Sequence, residues 1–244
     1  MALLGKIVGG IGGLALGGPL GALVGAFAGH AYDTLTAEPP PERVDDPTRK
    51  IAFTIGTIVL GAKMAKADGV VTRDEVAAFR QVFRVAPEEI GNVKRVFDIA
   101  KRDAHGYEPY ARQLAQLLRH RPEVLEQLLD CLFFIAKADG HVDPAELDYL
   151  RDVARLFGFD EAAFERIRLT QLGPDKSDPC TILGVERDID EAGLKRAYLG
   201  LVRRYHPDTM IAEGLPEEAV KVATEKMAAI NTAHDTIRRL KGFG

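Results

Sequence analysis

The chain is poor in cysteine: Cys131 and Cys180 are its only two, far apart and in no Cys-x-x-Cys spacing. That excludes a disulfide scaffold, a zinc ribbon and a thioredoxin-type motif, and a reducing compartment is the simpler expectation for the bulk of the chain. It also lacks an excess of positive charge, with 32 basic against 36 acidic side chains and a formal net charge of -4, so it does not read as a nucleic-acid binder. No phosphate-cradling G-x-x-x-x-G-K-[ST], no nucleophile with a base partner and no metal-ligand histidine cluster occurs. His30, His105, His120, His141 and His234 are scattered singly and read as surface or packing residues. The expectation is a protein that is not itself an enzyme.

Glycine, by contrast, is abundant at 24 residues, and it is concentrated at the start. From Ile7 to Gly29 there is no charged residue, although the mean hydropathy of the whole chain, -0.06, hides this. A helix of that length rises about 35 Å at roughly 1.5 Å per residue, enough to cross a hydrocarbon core of about 30 Å. Gly5, Gly9, Gly13, Gly17, Gly21, Gly25 and Gly29 recur at four-residue spacing and would form one stripe on such a helix. Small residues at this spacing let two membrane helices approach closely, so a homodimer through the stripe is expected. Pro19 sits mid-span, where lipid-embedded helices tolerate a kink. A cleaved signal peptide, a glycine linker and a buried soluble hairpin are the competing readings; against cleavage, the apolar run exceeds a signal-peptide core. Lys6 flanks one side and Arg43, Arg49 and Lys50 the other, a distribution that leans toward a single-pass protein with its C-terminal part in the cytoplasm.

The organisation that follows is an anchor over residues 1–36, a proline-rich acidic linker over 37–47, a helical bundle over 48–172, a short linker over 173–177 and a second helical unit over 178–244. The bundle region has apolar residues at helical spacing, as in Val124, Leu125, Leu128, Leu129, Leu132 and Phe133, and reads as about seven short helices. The fold class is therefore all-α.

Within the bundle, Ala65-Lys66-Ala67-Asp68-Gly69-Val70-Val71 repeats as Ala136-Lys137-Ala138-Asp139-Gly140-His141-Val142, and the match extends to Glu75 and Glu146. Each copy reads as a helix stopped at Asp-Gly, followed by a turn and an acidic helix start. Asp68, Glu75, Asp139 and Glu146 could converge on one acidic site suited to a divalent cation such as Ca²⁺. The same residues serve equally as caps and dipole partners, and neither copy has the loop of an EF-hand. The paired motifs resemble the TerB family over roughly residues 48–172, whose paired acidic motifs have been proposed to bind metal.

In the C-terminal unit, Asp178-Pro179-Cys180-Thr181-Ile182-Leu183-Gly184-Val185 reads as a short helix ending in glycine. Asp190 then caps a helix with Leu194, Ala197, Tyr198, Leu201, Val202 and Tyr205 on its apolar face. His206-Pro207-Asp208 follows in a loop, and a second long helix from Pro216 carries Val220, Met227, Ile230, Ala233 and Ile237 at core spacing, giving an antiparallel pair. With its flanks, this pattern resembles the J domain of DnaJ-type cochaperones across 178–241. That resemblance implies docking on a DnaK-type chaperone and stimulation of its ATP hydrolysis. It makes His206, Pro207 and Asp208 the signature and Lys195, Arg196, Tyr198, Arg203 and Arg204 the supporting contact face. Leu199 stands where a basic residue is frequent in that family, Thr209 and Met210 follow the signature in place of basic and amide residues, and Met227 replaces a common phenylalanine.

Neither a glycine/phenylalanine-rich region nor zinc-binding cysteine repeats are present. The order of anchor, TerB-like bundle and C-terminal J domain resembles the DjlA-type, membrane-anchored DnaJ-like proteins of Gram-negative bacteria, and implies recruitment of a DnaK-type chaperone to the cytoplasmic face of the inner membrane. The alternative expectation is a metal-binding TerB-type stress protein whose J unit is a degenerate docking module.

Overall fold

The structure, a computed structural model, describes residues 18–21, 46–67, 90–102, 106–138, 140, 142–172, 178–213, 215 and 217–243. Among these residues there are helices and turns and no strand. Six helices of the bundle lie among the described residues: α1 (Asp46–Ala67), α2 (Ile90–Arg102), α3 (Glu108–Leu117), α4 (Pro122–Ala136), α5 (Pro144–Leu156) and α6 (Glu161–Leu172). Four more form the C-terminal unit: α7 (Pro179–Leu183), α8 (Glu191–Tyr205), α9 (Pro207–Ala212) and α10 (Glu217–Lys241).

α1 begins inside the proline-rich stretch, at Asp46. Pro47 falls in its first turn, where the missing N–H has no intrahelical partner to lose, so proline does not delay the helix to Thr48. Residues 52–65 of α1 are buried on every side, because α2, α3, α4 and α5 all pack around it. Some of its polar groups are satisfied locally or across the core: Thr57 Oγ1 donates to Phe53 O at 2.8 Å and Tyr149 Oη donates to Leu60 O at 2.8 Å, whereas the buried Thr54 Oγ1 has no hydrogen-bond partner among the described residues. Gly56 lets α3 come close, since a Cβ there would stand 2.7 Å from both Leu114 Cδ atoms.

The described part of the glycine-rich segment, residues 18–21, is a helical turn against this bundle. Leu20 is buried in the core and its N–H donates to Gln113 Oε1 at 2.8 Å. The apolar side chain takes cover between helices, as it would in lipid, and the amide side chain of α3 satisfies the backbone. Gly5, Gly9, Gly13, Gly17, Gly25 and Gly29 lie outside the described residues. Among the described residues no helix is long and apolar enough to cross a membrane.

The C-terminal unit has its own small core of Ile182, Leu183, Leu194, Tyr205, Met227, Ile230, Ala233 and Ile237. Its helix ends are specified by sequence: Asp178 and Asp190 cap α7 and α8 by accepting from Cys180 N at 3.3 Å and Gly193 N at 2.7 Å, and Gly184 ends α7 at φ 64°. A second apolar set, Met210 of α9, Leu215 between the two helices, and Ala219, Val222 and Ala223 of the first half of α10, packs into the bundle core instead. The unit is thus seated on α4 and α6, and the contact covers the polar side of α4 as well as its apolar side.

Candidate partner-docking site

The corner between α8 and α9 is built by a proline. Tyr205 ends α8, His206 takes an extended conformation (φ -59°, ψ 136°), and Pro207 at once begins α9. An expected loop is therefore one residue wide: Pro207 has the φ of a helix start and the missing N–H that a first turn does not need. His206 caps α9, its Nδ1 accepting from Asp208 N–H at 3.2 Å, and Nδ1 lies 3.6 Å from Asp208 Oδ2. With Nδ1 accepting, the neutral ring carries its proton on Nε2. Thr209 Oγ1 donates to Arg203 O at 3.1 Å and ties α9 back to α8. Despite this ordering both signature side chains face water, His206 at 48% and Asp208 at 86% side-chain exposure.

The proposed contact face on α8 is open in the same way. Lys195, Arg196, Arg203 and Arg204 are all exposed. Tyr198 is half-buried: its ring stacks on His234 of α10 at 4.1 Å between centroids, and its hydroxyl donates to Asn231 Oδ1 at 3.1 Å. His234 is therefore a packing residue, consistent with its isolation in sequence.

Beneath the exposed corner lies a buried charge cluster that sequence reasoning missed. Lys226 of α10 donates to Glu126 Oε1 and, at 2.7 Å, to Asp130 Oδ2, both carboxylates belonging to α4. Arg166 of α6 donates to Glu126 Oε2 at 2.8 Å, as does the Tyr205 hydroxyl at 2.5 Å, while Gln171 Nε2 donates to Asp130 Oδ1 at 2.8 Å. The Lys226 ammonium also sits 4.0 Å from the Tyr205 ring centroid, a cation–π distance. Burial alone would raise the Glu126 pKa, but the Lys226 and Arg166 charges overcome it and hold the carboxyl at about 2. Burial raises the Asp130 pKa, with Lys226 only partly offsetting it. Lys226, itself buried, is kept above the ordinary lysine range by Asp130 and Glu126. At the rim, Arg121 pairs with Glu213 at 3.0 Å and Gln127 Nε2 donates to Ala219 O at 3.0 Å. The available signal was the i, i+4 pair Glu126 and Asp130 on a helix otherwise rich in leucine.

The acidic repeat is described at one position only. Glu146 is buried at the start of α5, where its Oε2 accepts from Asp143 N–H at 3.0 Å while Asp143 Oδ1 accepts from Ala145 N–H at 2.8 Å, a reciprocal capping box. Asp68, Glu75 and Asp139 lie outside the described residues. Among the described residues no group of histidine, cysteine, aspartate and glutamate is placed to hold a metal ion.

Three family models match the chain in succession: "Co-chaperone DjlA transmembrane domain" over residues 1–48, "Tellurite resistance protein TerB" over 54–169 and "DnaJ domain" over 178–241. Curated relatives called "Co-chaperone protein DjlA" align end to end. The protein of Salmonella typhimurium is 25% identical over 269 residues, covering 100% of both chains, and that of Coxiella burnetii is 28% identical over 274 residues, again covering 100% of both. The relative from Photobacterium profundum is 28% identical over 274 residues, covering 98% of this chain and 99% of its own. No solved structure matches significantly. The ordered succession of the three domains, along the full length of such relatives, makes this chain a member of the DjlA-type family of membrane-anchored, DnaJ-like co-chaperones with a TerB-like domain and a C-terminal J domain.

Proposed function

We propose that this chain docks a DnaK-type chaperone through His206, Pro207 and Asp208 together with Lys195, Arg196, Tyr198, Arg203 and Arg204, stimulates its ATP hydrolysis, and recruits it to the cytoplasmic face of the inner membrane as a single-pass protein. The observation that carries this reading is the corner itself: a histidine and an aspartate held by a proline turn and a cap, both open to solvent, beside four exposed basic side chains on α8. A fixed corner loses little conformational freedom on docking, and a basic face steers toward an acidic partner surface and sets the encounter rate. Neither role needs covalent chemistry from this chain. The paired anchor is part of the proposal: two copies associate through the glycine stripe and present two such corners on one membrane.

Co-flotation tests recruitment. Vesicles carrying the full chain are expected to carry a DnaK-type chaperone, supplied with ATP, to the top of a density gradient, and vesicles carrying the His206→Gln chain are expected to leave it at the bottom. Equal flotation with both would overturn the assignment of the corner as the docking site.

A further inference from the structure

Both flanks of the signature are held by the bundle while the signature itself is not. Tyr205, immediately before His206, is fully buried, and its hydroxyl donates to Glu126 on α4. Met210, two residues after Asp208, is fully buried in the bundle core. Between them His206 and Asp208 point into solvent. The hold on Tyr205 is not a single contact, because Glu126 is itself gripped by Arg166 from the bundle and by Lys226 from α10, and Lys226 lies across the Tyr205 ring. A tyrosine side chain with its ring packed against an ammonium and its hydroxyl on a carboxylate has no room to swing, so the backbone at residue 205 is fixed relative to α4. Arg121 to Glu213 and Gln127 to the Ala219 carbonyl fix the far end of α9 and the start of α10 to the same helix.

We propose that Glu126 of the TerB-like bundle is a positioning residue for the His206-Pro207-Asp208 corner, acting through Tyr205, and that the J unit is carried on the bundle as a docked body rather than as a freely tethered module. This rests on the reading of the corner as the chaperone-docking site. It gives the bundle a direct mechanical line to that site: whatever shifts α4 shifts Tyr205, and with it the orientation of His206.

The test uses the full chain in vesicles, in wild-type, Tyr205→Phe, Glu126→Ala and Glu126→Gln forms. Tyr205→Phe keeps the ring and all charges and removes only the bond to Glu126, so it is expected to fold. Two readouts are taken: the dependence of single-turnover ATP hydrolysis by a DnaK-type chaperone on cochaperone concentration, and hydrogen exchange at the Met210 and Leu215 amides, which donate to His206 O and Met210 O. Tyr205→Phe and Glu126→Ala should lower the maximal stimulation with little change in the half-saturating concentration. In Tyr205→Phe exchange at the two amides should rise about tenfold, as expected for the loss of one charge-assisted hydrogen bond, and in Glu126→Ala it should rise further, because the bonds from Arg166 and Lys226 are lost as well. Glu126→Gln, which retains an acceptor, should recover part of both effects. Unchanged exchange and unchanged maximal stimulation in Tyr205→Phe and Glu126→Ala would overturn the proposal, as would a change confined to the half-saturating concentration. A wild-type chain that gives no stimulation would defeat the cochaperone reading and the positioning role together, whereas faster exchange in Glu126→Ala reports the docked contact independently of any chaperone.

Discussion

Replacing Lys226 by methionine isolates what the buried charge cluster contributes. Methionine keeps the length and flexibility of the lysine stem and removes only the ammonium. Glu126 would still be balanced by Arg166 and hydrogen-bonded by Tyr205, but Asp130, fully buried, would keep the Gln171 amide as its donor and lose its counter-charge. Removing one partner of a buried ion pair destabilises by about 3–5 kcal/mol, chiefly through the charge left behind. In a chain of this size each kcal/mol lowers Tm by about 2–4 °C, so the variant should melt about 6–20 °C below wild type by circular dichroism at 222 nm. Adding Asp130→Asn removes the stranded charge while keeping an acceptor for Gln171, and the double variant should regain more than half of the loss. The burial that already raises the Asp130 pKa also predicts that the single variant's deficit narrows as pH falls, because Asp130 can then take up a proton. A shift smaller than about 3 °C for Lys226→Met, or a further drop on adding Asp130→Asn, would refute the assignment of these groups to a desolvated ion cluster.

Other consequences follow from the same contacts. Glu126 titrates at about 2 in the folded chain against 4.5 for the free side chain, so its contribution is complete above pH about 4.5 and is lost as pH falls through about 2. Asp130, shifted upward, works in the opposite sense, and Glu126→Gln should therefore flatten the acid limb of the stability curve; an acid limb identical to wild type would contradict this. Gly56→Ala places a methyl 2.7 Å from Leu114 Cδ1 and Cδ2 and should destabilise by about 1–3 kcal/mol through overpacking, visible as a lower urea midpoint, with no change expected if α1 and α3 can separate freely. Replacing Gly13, Gly17 and Gly21 by leucine should abolish cross-linked dimers in membranes, and undiminished dimers would remove the glycine stripe as the association face.

How much was legible in sequence varies with the range of the interaction. The caps at Asp178 and Asp190, the left-handed stop at Gly184 and the proline corner after His206 all depend on neighbours within four residues, and each lies where its local chemistry puts it. The start of α1 at Asp46, inside the expected linker, has a local reason as well, because a proline excluded from helix interiors is welcome in a first turn. The docking of the J unit had no local signature. On α4 the helical period assigns Glu126, Gln127 and Asp130 to the side away from the apolar stripe, and it takes Tyr205, Ala219 and Lys226, the last 100 residues on from Glu126, to turn that side into an interface. Glu146 is again local: its Oε2 accepts from Asp143 N–H three residues back, the capping role that its place at a helix start suggests.

The account stands most directly on single-turnover ATP hydrolysis by a DnaK-type chaperone in the presence of the full chain in vesicles. The predicted result is a marked acceleration by wild type that is absent with His206→Gln, a substitution at an exposed side chain that leaves Tyr205, Met210 and the buried cluster in place. Equal rates with wild type, with His206→Gln and with empty vesicles would contradict it.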